Sequence, residues 1–304
     1  MGQGVPVARA PAVAVDAGDL RPRPQPVRAA EVRGSYRIGR LPADEIENWL
    51  NDEIAAGIAP SSVHRHYRTL RRVLQVAVEK EKIVSNPCDR VQSPRVPARE
   101  MVFLTWEDAV DLAEAINERY RTLIYLAVDS GMRWSQLVGL RRAKVDLNRA
   151  KVRVTEQLIR LESGEWLRKE PKTAAGLRSI TISRETPAIL AEHIERFTAP
   201  RLDSLVFPNK AGNPLMSSSF WQHYVKPALD AVGLACRFHD LRHTSVALAI
   251  AEGAHLKAIQ NRMGHSSINV TLDRYGHLFP ELDEAIAAGF GERLAAVRRL
   301  RRTG

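Results

Sequence analysis

Cysteine is scarce in this 304-residue chain, and long apolar runs are missing. The two cysteines, Cys88 and Cys236, match no metal-binding or disulfide spacing, which is typical of a reducing compartment. No stretch approaches the roughly 20 apolar residues that span a bilayer. The N-terminus also lacks the basic start and apolar block of a signal peptide. These absences predict a cytoplasmic protein without a membrane partner.

Acidic residues are also relatively few. The chain has 35 Asp and Glu against 45 Lys and Arg, which gives a formal net charge of +10. A charge of this sign and size predicts a polyanionic partner, with nucleic acid as the leading candidate. A ribosomal or heparin-type binder would have a similar charge, so composition alone leaves these classes open. The hydrophobic fraction of 44% is typical of globular proteins, and the length allows two domains with separate cores.

Composition divides the chain into three segments. Residues 1–36 are rich in proline, alanine and valine and predict a flexible lead-in. Residues 37–97 contain two helix patterns, and Ser61 or Ser62 is the expected N-cap of the second. Residues 91–103, with the sequence VQSPRVPAREMVF, read as a linker. The third segment, 98–304, is the predicted larger domain.

The second helix pattern combines an apolar stripe with a basic face. The stripe is formed by Val63, Tyr67, Leu70, Val73, Leu74, Ala77 and Val78. The basic side chains lie mostly off the stripe. A solvated surface is one interpretation, but a contact with a phosphate backbone fits at least as well. The candidate DNA-binding residues are therefore Arg65, Arg68, Arg71 and Arg72.

The third segment predicts helices and one small sheet. Thr105 is the expected cap of its first helix, with Asp108 completing a capping box, and a further helix covers about 120–130. Residues 151–183 alternate polar and apolar side chains, with Ser-Gly and Ala-Gly turns, which predicts a small antiparallel sheet. Helices return from about 185. The predicted fold is mainly α with a small antiparallel β-sheet (α+β).

A set of cationic or polarisable side chains stands at turns and element ends ahead of Tyr275. Two guanidiniums, an ammonium and two imidazoles suit one task, which is to hold a phosphodiester whose transition state gains negative charge. The ammonium is expected at the tip between two strands, and the other groups near helix ends. The five residues are Arg133, Lys172, His239, Arg242 and His265.

Four motifs contain these residues: SGMRWSQLVGLRRAKVDL, PKTAAGLRSI, HDLRHT and MGHSSINVTLDRYGH. In this order they resemble the motifs of tyrosine recombinases of the phage-integrase family. The resemblance covers about 101–295 as a catalytic domain and about 37–97 as part of a helical core-binding domain. It implies a site-specific recombinase or integrase of a mobile element, which cleaves and rejoins double-stranded DNA through a 3′-phosphotyrosyl intermediate. No metal, ATP or other cofactor is implied.

The resemblance also implies a role for each side chain. Arg133 and Arg242 would clamp the non-bridging phosphate oxygens while Tyr275 attacks phosphorus. The general acid for the leaving 5′-hydroxyl would be Lys172. His239 would assist proton transfer and hydrogen-bond the phosphate or the nucleophile, and His265 would hydrogen-bond the phosphate. A homo-tetramer on paired DNA sites and accessory DNA-bending or directionality factors are the implied partners.

Two departures from the family pattern leave alternatives open. Gln136 occupies the place of a usual acidic residue, so it can hydrogen-bond Arg133 without supplying charge. The family's further long helix is missing ahead of residue 37, so 37–97 is expected to be an N-terminally truncated core-binding domain. An inactive DNA-binding remnant and a type IB topoisomerase-like nicking-closing enzyme are therefore the alternative functions. A zinc site at His239 and His243 is excluded, because Arg242 between them would repel a cation.

Overall fold

A computed structural model describes residues 38–97, 100–171, 174–279, 290–295 and 298–299. The described chain separates into two compact units, with the boundary between Glu100 and Met101. The lead-in predicted for 1–36 lies outside the described residues, so the three-segment division stays a prediction. Within the described part, no helix combines the length and the apolar character needed to cross a membrane.

The N-terminal unit is built on helices α1 (Ala43–Ala55) and α2 (Pro60–Glu79). Short 3-10 turns occupy Ile38–Arg40 and Pro87–Arg90. The predicted cap at Ser61 or Ser62 is wrong, because α2 begins at Pro60 and its N-cap residue is Ala59. Proline has no N–H that needs a cap there. The core of the N-terminal unit lies between α1 and one face of α2, as the apolar stripe predicted, although Val73 is exposed.

The C-terminal unit is mainly helical, which confirms the predicted fold class. Its helices are α3 (Trp106–Ala115), α4 (Glu118–Ser130), α5 (Trp134–Leu137), α6 (Thr186–Phe197), α7 (Ser217–Phe220), α8 (Lys226–Val232), α9 (Asp240–Ala251), α10 (Leu256–Met263) and α11 (Asn269–Tyr275). A π-helical turn, Trp221–Val225, joins α7 to α8. The predicted capping box is present, since the side chains of Thr105 and Asp108 each accept a hydrogen bond from the other's backbone N–H.

The described residues include five short strands, which form two antiparallel sheets. They are β1 (Val145–Asp146), β2 (Lys151–Val154), β3 (Gln157–Arg160), β4 (Trp166–Lys169) and β5 (Arg178–Thr181). The sheets are β1-β2-β5 and β3-β4, so the expectation of one sheet is corrected. β2 pairs with β5 because Val152 and Ile180 face each other in the buried core. Strands β4 and β5, which precede and follow Lys172 in the sequence, belong to different sheets, and Lys172 itself lies outside the described residues.

The described residues of the C-terminal unit form two apolar clusters. The larger one surrounds α4, most of whose residues are buried, and includes β2 and β5. The smaller one consists of Val246, Ile250, Ile259, Met263 and Tyr275, from α9, α10 and α11. Burial of these side chains fixes the ends of the three helices relative to one another. The predicted site residues stand at those ends.

Candidate active site

The structure places the predicted site residues at element ends, as the sequence indicated. Arg133 and His239 are the residues just before α5 and α9, and Arg242 lies in the first turn of α9. His265 follows the C-terminal Gly264 of α10, and Tyr275 is the last residue of α11. Lys172 lies outside the described residues, so its position stays a prediction.

Arg242 is the buried centre of the site, with 4% of its surface exposed. Its guanidinium donates to the carbonyl oxygens of Gly131 and Met263, which end α4 and α10, and to Nε2 of His265 at 3.0 Å. Helix ends leave such carbonyls without partners inside the helix, so Arg242 ties α4 and α10 to α9. A guanidinium has five N–H donors, and three are used here. Two donors therefore have no partner in the described part of the chain and are available to oxygens of a ligand.

The contact with Arg242 fixes the proton position on His265. Arginine only donates, so Nε2 of His265 accepts, and Nδ1 holds the proton that is donated to Thr271 Oγ1 at 2.9 Å. Burial, followed by the charge of Arg242, lowers the pKa of His265 to about 4. The imidazole is thus neutral and orients Arg242. Its expected hydrogen bond to a phosphate stays a prediction, because Nε2 is an acceptor in this arrangement.

Arg133 borders a cavity of about 280 Å³. Other residues that line it are Gln136, Pro171, Gly176 and His265, and its described lining contains no acidic side chain. The Arg133 guanidinium makes no hydrogen bond or ion pair with the described residues. Burial, followed by the charge of Arg274, lowers its pKa. A cavity with an unpaired guanidinium and no neighbouring carboxylate is suited to an anion.

Gln136 is hydrogen-bonded to Arg178, an arginine that was not among the predicted site residues. Its Oε1 accepts from the backbone N–H of Arg133 at 3.1 Å and from Nη2 of Arg178 at 3.2 Å. Arg178 also donates to the carbonyls of Arg262 and Gly176, at 2.7 and 3.2 Å. Burial, followed by the charge of Arg133, lowers the pKa of Arg178 to about 10. The signal for Arg178 was its place in the motif PKTAAGLRSI.

The hydroxyl of Tyr275 is hydrogen-bonded to a histidine that was weighed only as a metal ligand. His243 Nδ1 lies 2.6 Å from Tyr275 Oη, and Tyr275 is only 1% exposed. His239, the residue expected to assist the nucleophile, is exposed, and its side chain makes no hydrogen bond with the described residues. Its ring stands edge-on to that of His243, with centroids 4.8 Å apart. The i, i+4 spacing of the two histidines was therefore a signal that their rings lie side by side.

A larger, mostly apolar cavity of about 770 Å³ lies beside His239. Trp134 lines it and packs against Phe220 and Phe238, with ring centroids 5.1 and 4.8 Å apart. The tryptophan next to Arg133 thus walls this cavity, whereas Arg133 lines the smaller one.

In the N-terminal unit, all four predicted DNA-binding arginines of α2 are exposed. Arg71 pairs with Asp89 at 2.8 Å, and Arg72 pairs with Glu79 at 3.0 Å. Arg65 and Arg68 have no ion pair with the described residues. The unpaired positive charge of this face is therefore concentrated in its N-terminal half.

The fold and the site together define a class of protein: a mainly helical domain with clustered arginines and histidines around a buried tyrosine. Residues 102–281 match the model of the phage integrase family. The chain belongs to this family.

Relatives and solved structures agree with this assignment. The putative prophage phiRv2 integrase of Mycobacterium tuberculosis is 30% identical over 233 residues, which are 75% of this chain and 61% of the relative. The ICEBs1 integrase of Bacillus subtilis is 25% identical, over 82% of this chain and 70% of its own length. The chain thus spans about three fifths of the mycobacterial relative.

The fold is similar to that of integrases solved with DNA. A structure of the Tn1549 transposon integrase with a circular intermediate DNA has a TM-score of 0.72 and 21% identity, and the similarity covers 86% of this chain and 88% of that one. A lambda integrase dimer bound to a COC′ core site has a TM-score of 0.55 and 19% identity, over 78% of this chain and 65% of that one. These similarities show the fold.

Proposed function

We propose that the protein is a site-specific DNA recombinase, or integrase, which cleaves and rejoins double-stranded DNA through a 3′-phosphotyrosyl link at Tyr275. The observation that carries the proposal is the convergence of cationic donors on a site beside this tyrosine. Among the described residues, the Arg133 guanidinium has no partner and Arg242 retains two unused donors. The relatives named as integrases support the same reading.

In this proposal, Arg133 and Arg242 bind the non-bridging oxygens of the scissile phosphate and stabilise the charge that develops on them. Tyr275 Oη attacks phosphorus and displaces the 5′-oxygen, which leaves as a hydroxyl. Lys172 is the proposed general acid, and two described residues near it in the sequence, Pro171 and Gly176, line the cavity beside Arg133. The bond energy is conserved in the covalent link, so strand joining requires neither ATP nor a metal.

The burial of Tyr275 sets a condition on the reaction. Attack needs Oη within about 3–3.5 Å of phosphorus. A side chain that is 1% exposed cannot make that approach until its neighbours open. DNA docking is therefore proposed to displace side chains that cover Oη, which couples cleavage to binding of the correct DNA.

The proposed partner is double-stranded DNA, bound partly through α2, where Arg65 and Arg68 offer unpaired charges to the phosphate backbone. A lambda integrase structure of similar fold is a tetramer bound to a Holliday junction. By analogy, we place four copies of this chain on two paired DNA sites, with DNA-bending or directionality factors as further partners and the cytoplasm as the compartment.

The test is covalent trapping on DNA. The protein is incubated with a pool of nicked duplexes of random sequence, in which the short fragment released by cleavage diffuses away and traps the adduct. Wild type should give an adduct that survives a denaturing gel. Sequencing of the trapped strand then identifies a duplex that the protein cleaves, and this duplex serves as the substrate in later experiments. Tyr275→Phe should bind the same duplex within about threefold and form no adduct, because it lacks the nucleophile.

Each of the other outcomes would contradict the proposal in a different way. Binding without any adduct from wild type would indicate an inactive DNA-binding remnant. Relaxation of supercoiled DNA without exchange of strands between duplexes would indicate a topoisomerase-like enzyme. An adduct formed by Tyr275→Phe would place the nucleophile elsewhere.

A further inference from the structure

We infer that His243 is a catalytic residue that accepts the proton of Tyr275 Oη as the tyrosine attacks phosphorus. The inference rests on the proposed function and deepens it. It begins from the 2.6 Å contact between His243 Nδ1 and Tyr275 Oη, a distance well inside the usual range for a hydrogen bond. Both residues are buried, at the junction of α9 and α11.

Burial restricts where the proton can go. A tyrosine that is 1% exposed has little access to bulk water, so a side chain already hydrogen-bonded to Oη is better placed than water to take its proton near pH 7. His243 Nδ1 is the hydrogen-bond partner of Oη within the described part of the chain. His239 lies on the same side of α9, but its ring contacts His243 rather than the tyrosine.

The direction of the hydrogen bond depends on the charge of His243 and on which ring nitrogen holds the proton, and we assign the proton of the neutral ring to Nε2. His239, Asp240 and Arg237 face it from the start of α9, and Arg274 faces it from α11. Burial, followed by the neighbouring His239, lowers the pKa of His243 to about 4, so the ring is neutral near pH 7. A neutral ring with Nδ1 unprotonated accepts the hydroxyl proton and leaves the lone pairs of Oη free for phosphorus.

Docked DNA raises the pKa of His243, which makes the imidazole a better proton acceptor. A phosphodiester held by Arg133 and Arg242 brings a negative charge close to His243. A nearby negative charge favours the protonated imidazole and raises its pKa. The histidine is therefore a weak base in the free protein and a stronger one when the phosphate is in place.

The complete step is balanced. The Oη–P bond forms, the bond between phosphorus and the 5′-oxygen breaks, and the tyrosine proton moves to Nδ1 of His243. The 5′-oxygen takes a separate proton from the general acid. In rejoining, the 5′-hydroxyl attacks the phosphotyrosine and gives its proton back to the general acid, and the His243 imidazolium returns its proton to Oη as the Tyr275–phosphate bond breaks.

The test compares two replacements of His243. His243→Asn keeps an acceptor oxygen near the position of Nδ1 but cannot take up a proton, whereas His243→Ala removes both functions. His223→Asn, at an exposed histidine, is the matched control. Fluorescence anisotropy gives the affinity of each variant for the trapped duplex, and melting temperature checks that it folds. Single-turnover adduct formation is then measured between pH 6 and 9.5.

If His243 accepts the proton, His243→Asn should bind DNA with an affinity within about threefold of wild type and cleave it about 100-fold more slowly at pH 7. The deficit should shrink as pH rises, because hydroxide then removes the tyrosine proton. A rate for His243→Asn within threefold of wild type would overturn the inference and leave only a positioning role. Faster cleavage by His243→Ala would overturn it too, since the contact would then restrain the tyrosine.

Failure of the proposed function gives a different result. In that case wild type itself forms no Tyr275-dependent adduct, and the assignment of His243 falls with it. An active wild type with an unimpaired His243→Asn refutes the assignment alone.

Discussion

The polar contact of Gln136 offers a stability test of the electrostatics at the site. The amide is 3% exposed and accepts from the backbone N–H of Arg133 and from Nη2 of Arg178. Gln136→Leu has a similar volume but leaves both donors without an acceptor. Each buried donor left unpaired costs about 1–3 kcal/mol. The free energy of unfolding should therefore fall by about 3 kcal/mol, which is a large effect for one substitution.

Gln136→Glu should act in the opposite direction. Its carboxylate would accept the same two hydrogen bonds and add a charge beside Arg178, whose neighbours Arg133 and Arg262 are also cationic. Charge-assisted hydrogen bonds are roughly twice as strong as neutral ones, so a net gain of about 1–2 kcal/mol should remain after desolvation. The pKa of the new carboxyl would be lowered, so this gain is present above about pH 4.3 and lost as the pH falls through the folded value.

Urea unfolding of wild type and both variants at pH 7 and pH 4 measures these effects. At pH 7, Gln136→Glu should have the highest free energy of unfolding, wild type an intermediate one and Gln136→Leu the lowest. The difference between Gln136→Glu and wild type should shrink at pH 4. Gln136→Glu that is less stable than wild type at pH 7 would refute the reasoning, because desolvation of the carboxylate would then outweigh the surrounding cations.

Two further predictions concern other charged groups. His243 and His265, whose pKa values lie at about 4 against an ordinary 6.5, stay neutral in the folded protein but take up protons when it unfolds. This contribution to the free energy of unfolding is thus fully present above pH 6.5, and urea titrations should show a decrease of up to about 4 kcal/mol by pH 5. A free energy of unfolding that does not change over this pH range would contradict the prediction. On α2, Arg65→Gln and Arg68→Gln should each weaken DNA binding and reduce the slope of log affinity against log salt by about 1. Arg71→Gln and Arg72→Gln should change both less, because Asp89 and Glu79 already neutralise those charges; equal effects at all four positions would refute the pairing argument.

The amino-acid sequence by itself determined the local features of this protein. The capping box at Thr105 and Asp108 joins residues three apart, so its pattern is readable directly from the letters. The helix ends that bear Arg133, His239 and Tyr275 were marked by short-range signals such as the glycine at 131. The sheet was predicted less well, because strand alternation does not say which strands pair.

Only the tertiary structure decided which side chains meet. Arg242 reaches the carbonyl of a residue 111 positions away, and His243 meets Tyr275 across 32 positions. No periodicity of 2 or 3.6 residues encodes contacts of that separation; they arise when burial of separate apolar faces brings helix ends together. The same packing gave Gln136 the guanidinium of Arg178 as its partner and put β4 and β5 into different sheets. The sequence thus named the reactive groups, and packing in the C-terminal unit chose the neighbours that set their protonation and orientation.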